Sequence, residues 1–367
     1  MNQVNAAVAA GTWTGFPYLY SWGYNNNGQL GLGNITSYSS PKQVGSLYWT
    51  VVAFGASNNA TAIKTDGTLW SWGLNSSGQL GLGNITKYSS PKQVGSLTTW
   101  YSISAAGTWA VAVKTDGTLW AWGANTQGQL GLGNITSYSS PKQVGSLTTW
   151  LKISAATGGA NVGAIKTDGT LWSWGLNSSG QLGLGNLTAY SSPKQVGSLT
   201  TWANISFGST SSMAIKTDGT LWTWGANTDG RLGLGNTTNY SSPKQVGVLT
   251  NWAAPSHSTA SMCIKTDGTL WSWGTNGNGQ LALGNTTNYS SPKQVGALTT
   301  WSKIATSTGN SAAIKTDSTL WSWGDNAFGQ LGIGSTIDFS SPKQVGALTS
   351  WTTVACGTNQ TIAIATT

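Results

Sequence analysis

The chain has 367 residues, of which only 7% are charged and none is Glu, while Gly (50) and Trp (22) are heavily over-used. No apolar run approaches the roughly 18 residues of a spanning helix, and so many tryptophans argue against a disordered chain. The net charge of +8 comes from lysines spread along the chain with a single arginine, Arg231, a pattern that argues against a nucleic-acid surface, where Arg forks are favoured.

The first residues, "MNQVNAAVAAGTWTG", have neither a basic start nor a sustained apolar stretch, so no secretory signal peptide is expected. Residues 1–18 are read as a lead-in, and "VAAGTW" (8–13), which echoes "SAAGTW" (104–109), as a possible shortened strand within it.

From residue 19 the text repeats. "WG" tryptophans stand at Trp22, Trp72, Trp122, Trp174, Trp224, Trp273 and Trp323, at intervals of 50, 50, 52, 50, 49 and 50 residues. A second series runs Trp49, Trp100, Trp150, Trp202, Trp252, Trp301 and Trp351. Seven units of about fifty residues indicate a repeat architecture. Within a unit, "WTVVAF" (49–54) is a short β-prone run, and "TAIKTDGTLWSWG" (61–73) reads as two strands joined at Asp66-Gly67. "NNNGQLGLGN" is a loop whose glycines supply positive φ or close backbone approach. "PKQV" (41–44) opens with a proline that suits a strand start or an edge.

Four short strands per unit and no helical periodicity predict an all-β fold, a seven-bladed propeller spanning 19–367. The first unit lacks an "AIKTDG" strand, and the chain ends in "TIAIATT", which carries it. The ring is therefore expected to close by pairing the N- and C-terminal segments, which removes both exposed edges.

No residue set promises chemistry. His257 is the only histidine and is read as a plain surface loop residue. No His, Cys or Asp cluster has metal spacing, and "GQLGLG" lacks the lysine and the βα setting of a phosphate loop. Cys263 and Cys356 fall at non-equivalent places and are read as small buried hydrophobes rather than a disulfide. No enzyme, cofactor or metal is expected.

The units differ mainly between the second tryptophan and the "IKTD" lysine, where the spacing varies as 15, 14, 16, 14, 13 and 14. In a ring these segments lie on one face around the axis, so they are the candidate partner-binding rim: Ser57, Asn58, Asn59, Thr108, Trp109, Asn161, Ser209, Thr210, Ser211, His257, Thr259, Asn310, Asn359 and Gln360. The "SPKQV" lysines, Lys42, Lys92, Lys142, Lys194, Lys244, Lys293 and Lys343, form a candidate basic ring for an acidic polymer. The preferred reading of them is as solvated charges that discourage pairing at an outer strand.

The pattern "GxLWSWGxNxxGQLGLG…SPxQV" resembles the repeat of the regulator of chromosome condensation family, over roughly residues 19–367. The resemblance implies a seven-bladed propeller that presents face loops to a protein partner. That repeat usually carries a histidine in a Gly-x-x-His turn; here the matching place in "GSTSS" is Ser211, and His257 lies upstream of the matching place in its own unit. The exchange factors of the family use an inserted hairpin and a basic tail, for which units of 49–52 residues leave no room.

The expectation is a non-catalytic binding or structural propeller. Near-identical units and a Gly, Asn, Ser, Thr and Trp composition are similar to proteins of bacteriophage particles. The first reading is thus a virion surface component, a capsid decoration or tail protein contacting another virion protein or a host surface glycan. The alternatives are a cytoplasmic location and a protein-partner module, exchange-factor-like or enzyme-inhibiting.

Overall fold

The computed structural model describes residues 15–56 and 58–366. It contains 27 strands and, among the described residues, no helix. The lead-in strand proposed at 8–13 and the rim position Ser57 lie outside the described residues.

Blade 2 shows the unit. Trp100–Ala105, Trp109–Lys114, Leu119–Gly123 and Tyr138–Gln143 pair in that order as an antiparallel sheet. The first strand is the inner one. Each first strand touches its counterparts in the two adjacent blades, and that of blade 7, Trp351–Cys356, touches that of blade 1, so the circle is complete. The outer strand lies at the disc's circumference.

Five blades are separate four-stranded sheets. Blades 7 and 1 are joined because one long strand, Tyr38–Gly55, serves as the outer strand of blade 7 and then as the inner strand of blade 1. Blade 7 is built from both ends of the chain: Gln360–Thr366 pairs with Pro17–Gly23 without a break, from Pro17 against Thr366 to Gly23 against Gln360. The C-terminal strand therefore fills the place missing from the first unit.

The hydrophobic core is divided among the seams between blades. In one seam Ile63, Leu69 and Val94 of blade 1 pack with Trp100, Ala112 and Trp122 of blade 2; six further clusters repeat this. A blade is thus buried on both faces, and for this reason both sides of "LWSWG" are apolar or satisfied. Each "WG" indole donates to a backbone carbonyl of the preceding blade, as Trp122 Nε1 does to Gln79 O at 2.9 Å. Six of the seven "TTW"-type tryptophans meet the other series edge-on, with Trp100 and Trp122 centroids 6.1 Å apart, and the seventh, Trp49, meets Trp72 at a tilt of 58°.

The outer strand begins three residues before the expected proline. Tyr88–Gln93 places Pro91 in mid-strand, beside the register shift between the Gly73 and Ser71 pairings. Proline is tolerated there because the strand is an edge with no outer neighbour. Cys263 and Cys356 are buried free thiols.

Candidate functional site

The chain runs each inner strand toward one face, where the segment leading to the second strand forms a loop beside the central channel. Asn58, Thr108, Ser209, Thr210, Thr259 and Asn359 are half-buried on this face. Gly158 sits in the longest of these loops; a methyl group on it would meet the Ala56 Cβ, two blades away, at 3.9 Å. That loop therefore lies over the channel mouth.

The other rim candidates are seam residues. Asn59, Trp109, Asn161, Ser211, Asn310 and Gln360 each open a second strand and are 0–1% exposed. They are not surface contacts, because the first side chain of that strand points into the gap between blades, and those of Trp109, Asn161, Ser211 and Asn310 reach the next blade. Trp109 Nε1 donates to Gly159 O at 3.1 Å and Asn161 Nδ2 to Gly208 O at 3.2 Å. The Asn310 amide nitrogen faces the Gly357 and Thr358 carbonyls, 3.1 Å from each.

His257 corrects the expectation of a surface loop residue. It ends the inner strand Trp252–His257 and is 3% exposed. Ser261 Oγ donates to Arg231 O at 2.7 Å, so it accepts from His257 Nδ1, also at 2.7 Å. His257 Nε2 is left to accept from Ser211 Oγ at 2.7 Å. The pair resembles a serine nucleophile with its base, but a hydroxyl stands where a carboxylate would orient the imidazole. Burial, with the Arg231 charge nearby, lowers the histidine pKa to about 3. So weak a base cannot activate Ser211, which is itself 0% exposed. The imidazole instead fills the seam at the place where Ser211 is small. Among the described residues no cluster of three His, Cys or Asp side chains could hold a metal ion.

The inner strands themselves vary as much as the loops, which the sequence reading passed over. After the constant tryptophan the seven copies read TVVAF, YSISA, LKISA, ANISF, AAPSH, SKIAT and TTVAC, whereas six outer strands read YSSPKQ and the seventh FSSPKQ. The signal was present in those letters but became meaningful only once the strand was known to line the channel. On the side of blades 1–4 the channel holds a cavity of about 400 Å³ lined by Tyr101, Leu151, Lys152 and Asn204, among others. Lys152 Nζ donates to Ala203 O and Asn204 Oδ1, both at 2.6 Å, and Lys303 Nζ donates to Thr352 O. Desolvation lowers the Lys152 pKa.

The basic ring lies on the outer wall, away from both channel mouths. Lys42, Lys92, Lys142, Lys194, Lys244 and Lys293 are exposed, with ammonium groups 5.3–5.6 Å from the ring centroid of the tyrosine that opens the same strand. Lys343 sits 4.8 Å from Phe339 in the same way. Each lysine thus marks a blade's free edge.

Comparison with known proteins agrees with this architecture. The family model described as RCC1-like domain matches residues 14–301, and the repeat described as Regulator of chromosome condensation (RCC1) matches 317–364 and 301–330. No curated protein matches the chain in sequence. Among solved structures, Prp20p from Saccharomyces cerevisiae superposes with a TM-score of 0.84 at 18% identity, covering 96% of this chain and 92% of that one. Yeast RCC1 (Prp20) bound to Kap60 gives 0.84 at 18%, covering 96% and 89%. Human WBSCR16 gives 0.84 at 20%, covering 95% and 98%. At such identities the likeness shows the fold. With its family model matched over well more than half its length, the chain belongs to the RCC1-like domain family, as a seven-bladed propeller.

Proposed function

We propose that the chain is a non-catalytic binding propeller and a surface component of a bacteriophage particle, a capsid decoration or tail protein that holds a neighbouring virion protein or a host surface glycan. One observation carries the binding part. Variation among otherwise repeated blades gathers on the inner strands and the loops that follow them, so a rigid frame displays its asymmetry around one channel. The particle part rests on composition: near-identical units, no Glu, and amide, hydroxyl and indole groups in place of charge.

Mass spectrometry of purified particles tests the second part, and absence of the chain from them ends it. Replacing Thr108, Ser209 and Asn359 together by Ala tests the first. Partner binding is expected to fall about tenfold or more at an unchanged melting temperature, and unchanged binding removes the loop face as the site.

Family membership favours a second reading, a protein-partner module of the exchange-factor or inhibitor kind. A yeast relative is described by its binding to Gsp1p and histones. Accelerated release of labelled nucleotide from a small GTPase on addition of this chain is the result that supports it.

A further inference from the structure

The repeated text that packs the seams also leaves a repeated cleft. Equivalent cavities of about 360, 420 and 300 Å³ lie between blades 3 and 4, 5 and 6, and 7 and 1. They sit at the end of the blades away from the variable loops. The first is walled by Leu184, Val196, Leu199 and Pro243, with Gln195 and Ser242 at its edge and Trp202, Trp222 and Lys216 within. The same letters line the seams between blades 1 and 2, 2 and 3, and 4 and 5.

Two features of these clefts are not explained by packing. The first is the lysine. Lys216 Nζ stands 3.7 Å from the Trp222 ring centroid and 5.2 Å from that of Trp202, and Lys315 repeats this with Trp321 and Trp301 at 3.7 and 5.2 Å. Neither ammonium has a hydrogen-bond acceptor among the described residues. The nearby hairpin carboxylates are turned onto their own turns, Asp218 Oδ1 accepting from Thr220 at 2.6 and 2.9 Å. Indole faces hold a cation but leave its three N–H donors unmet. The second feature is the indole N–H of the tryptophan opening each inner strand: Trp49, Trp100, Trp150, Trp202, Trp252, Trp301 and Trp351 all have it buried and unpartnered. Of these donors the ammonium groups are the ones that line cavities, and they offer sites for an acceptor-rich, negatively charged occupant with an apolar face.

We infer that these clefts bind carboxylate-bearing pyranose residues of an acidic polysaccharide. The carboxylate meets the caged ammonium, the ring's C–H face lies on Leu, Val and Pro, and the hydroxyls meet the Gln and Ser groups at the edge. The exposed lysines of the outer wall flank each cleft in sequence, Lys194 before Gln195 and Lys244 after Pro243. They add a field of the right sign along the circumference. Sites at a regular step suit a repeating polymer, for which weak single sites combine into avidity.

The seam between blades 6 and 7 is the built-in exception. There Ala365 stands opposite Trp351 where Lys315 stands opposite Trp301, and Tyr20 replaces the first tryptophan of "WSWG". Six seams carry the lysine; Lys216 and Lys315 line the cavities of their seams, whereas in the seam of blades 7 and 1 Lys64 is paired with Asp66 at 3.6 Å and does not line the cavity. This inference deepens the host-glycan arm of the proposed function, yet binding by the purified chain does not depend on particle membership, so either can fail alone.

The test titrates the full chain with a galacturonic acid trisaccharide and with polygalacturonate, following tryptophan fluorescence and heat. Binding is expected at no more than six sites per chain, about a hundredfold tighter for the polymer, while neutral dextran and polyglutamate leave the signal flat. Lys216→Gln is expected to remove one site. Leu199→Trp, which plugs the same cleft from its lip and leaves the cage intact, is expected to do the same at an unchanged melting temperature. No binding of either galacturonate overturns the inference. So does equal binding of polyglutamate, or an undiminished site count in Leu199→Trp.

Discussion

Trp174 Nε1 donates to the carbonyl oxygen of Gln129 at 3.0 Å, 45 residues earlier in the chain and one blade away. The residue two places on, Gly131, lies directly against the indole. A Cβ there would stand 2.7 Å from Trp174 Nε1, and Gly131 has φ +73.

Gly131→Ala is therefore expected to cost about 2–4 kcal/mol, from left-handed strain and overpacking together. The chain already contains the reverse experiment. Ala282 occupies the same place with φ 63, and Ala282→Gly is expected to raise stability by about 1 kcal/mol, after allowing for the greater freedom of glycine in the unfolded chain. Ser318, with φ 60 in the hairpin where other blades have Gly, is expected to respond alike. Denaturant midpoints check all three.

Blade 2 lacks one hydrogen bond that the others make. Ser71 Oγ donates to Leu80 O at 2.6 Å and Ser173 Oγ to Leu182 O at 2.7 Å, but the matching residue in blade 2 is Ala121, fully buried. Ala121→Ser restores a donor to the Leu130 carbonyl and is expected to add about 1 kcal/mol by thermal or chemical unfolding. A loss of stability would mean that the seam has no room for the hydroxyl.

His257 makes stability depend on pH. Its pKa is lowered from 6.5 to about 3 in the folded chain, so the unfolded chain holds one more proton across that window. Stability is complete above the unfolded value and falls by about 1.4 kcal/mol per pH unit as pH drops below 6.5 toward 3. The aspartates, several held below their usual range by hydrogen bonds from their own turns, add their loss only at lower pH. His257→Gln is expected to flatten the slope between pH 6.5 and 5. A slope that persists assigns it elsewhere.

Closure rests on the last strand. Ile362 and Ile364, 0 and 1% exposed, pack with Leu19, Leu30 and Trp72. Ile364→Asp is expected to cost more than about 4 kcal/mol, because it buries a charge without a partner. Removing residues 360–367 is expected to abolish cooperative melting, since it leaves two open strand edges. Size-exclusion chromatography and calorimetry would read both.

The sequence by itself determined the number of blades and the four strands in each; it pointed to the C-terminal strand as the closing one but left "VAAGTW" (8–13) competing for that place. Period, hairpin glycines and paired tryptophans are local signals, and seven copies of them leave one arithmetic. It also marked where the copies differ. Only the tertiary structure decided what those differences face. Asn58 and Asn59 are adjacent letters, yet one is half-buried in the loop and the other is sealed in a seam, because Asn58 forms the turn with φ 61 while Asn59 opens the second strand, whose first side chain points into the gap between blades. The same holds for His257, whose surroundings come from Ser211 and Arg231, 46 and 26 residues away in the chain. The clefts beside the caged lysines belong to neither blade alone, so no reading of a single unit could contain them.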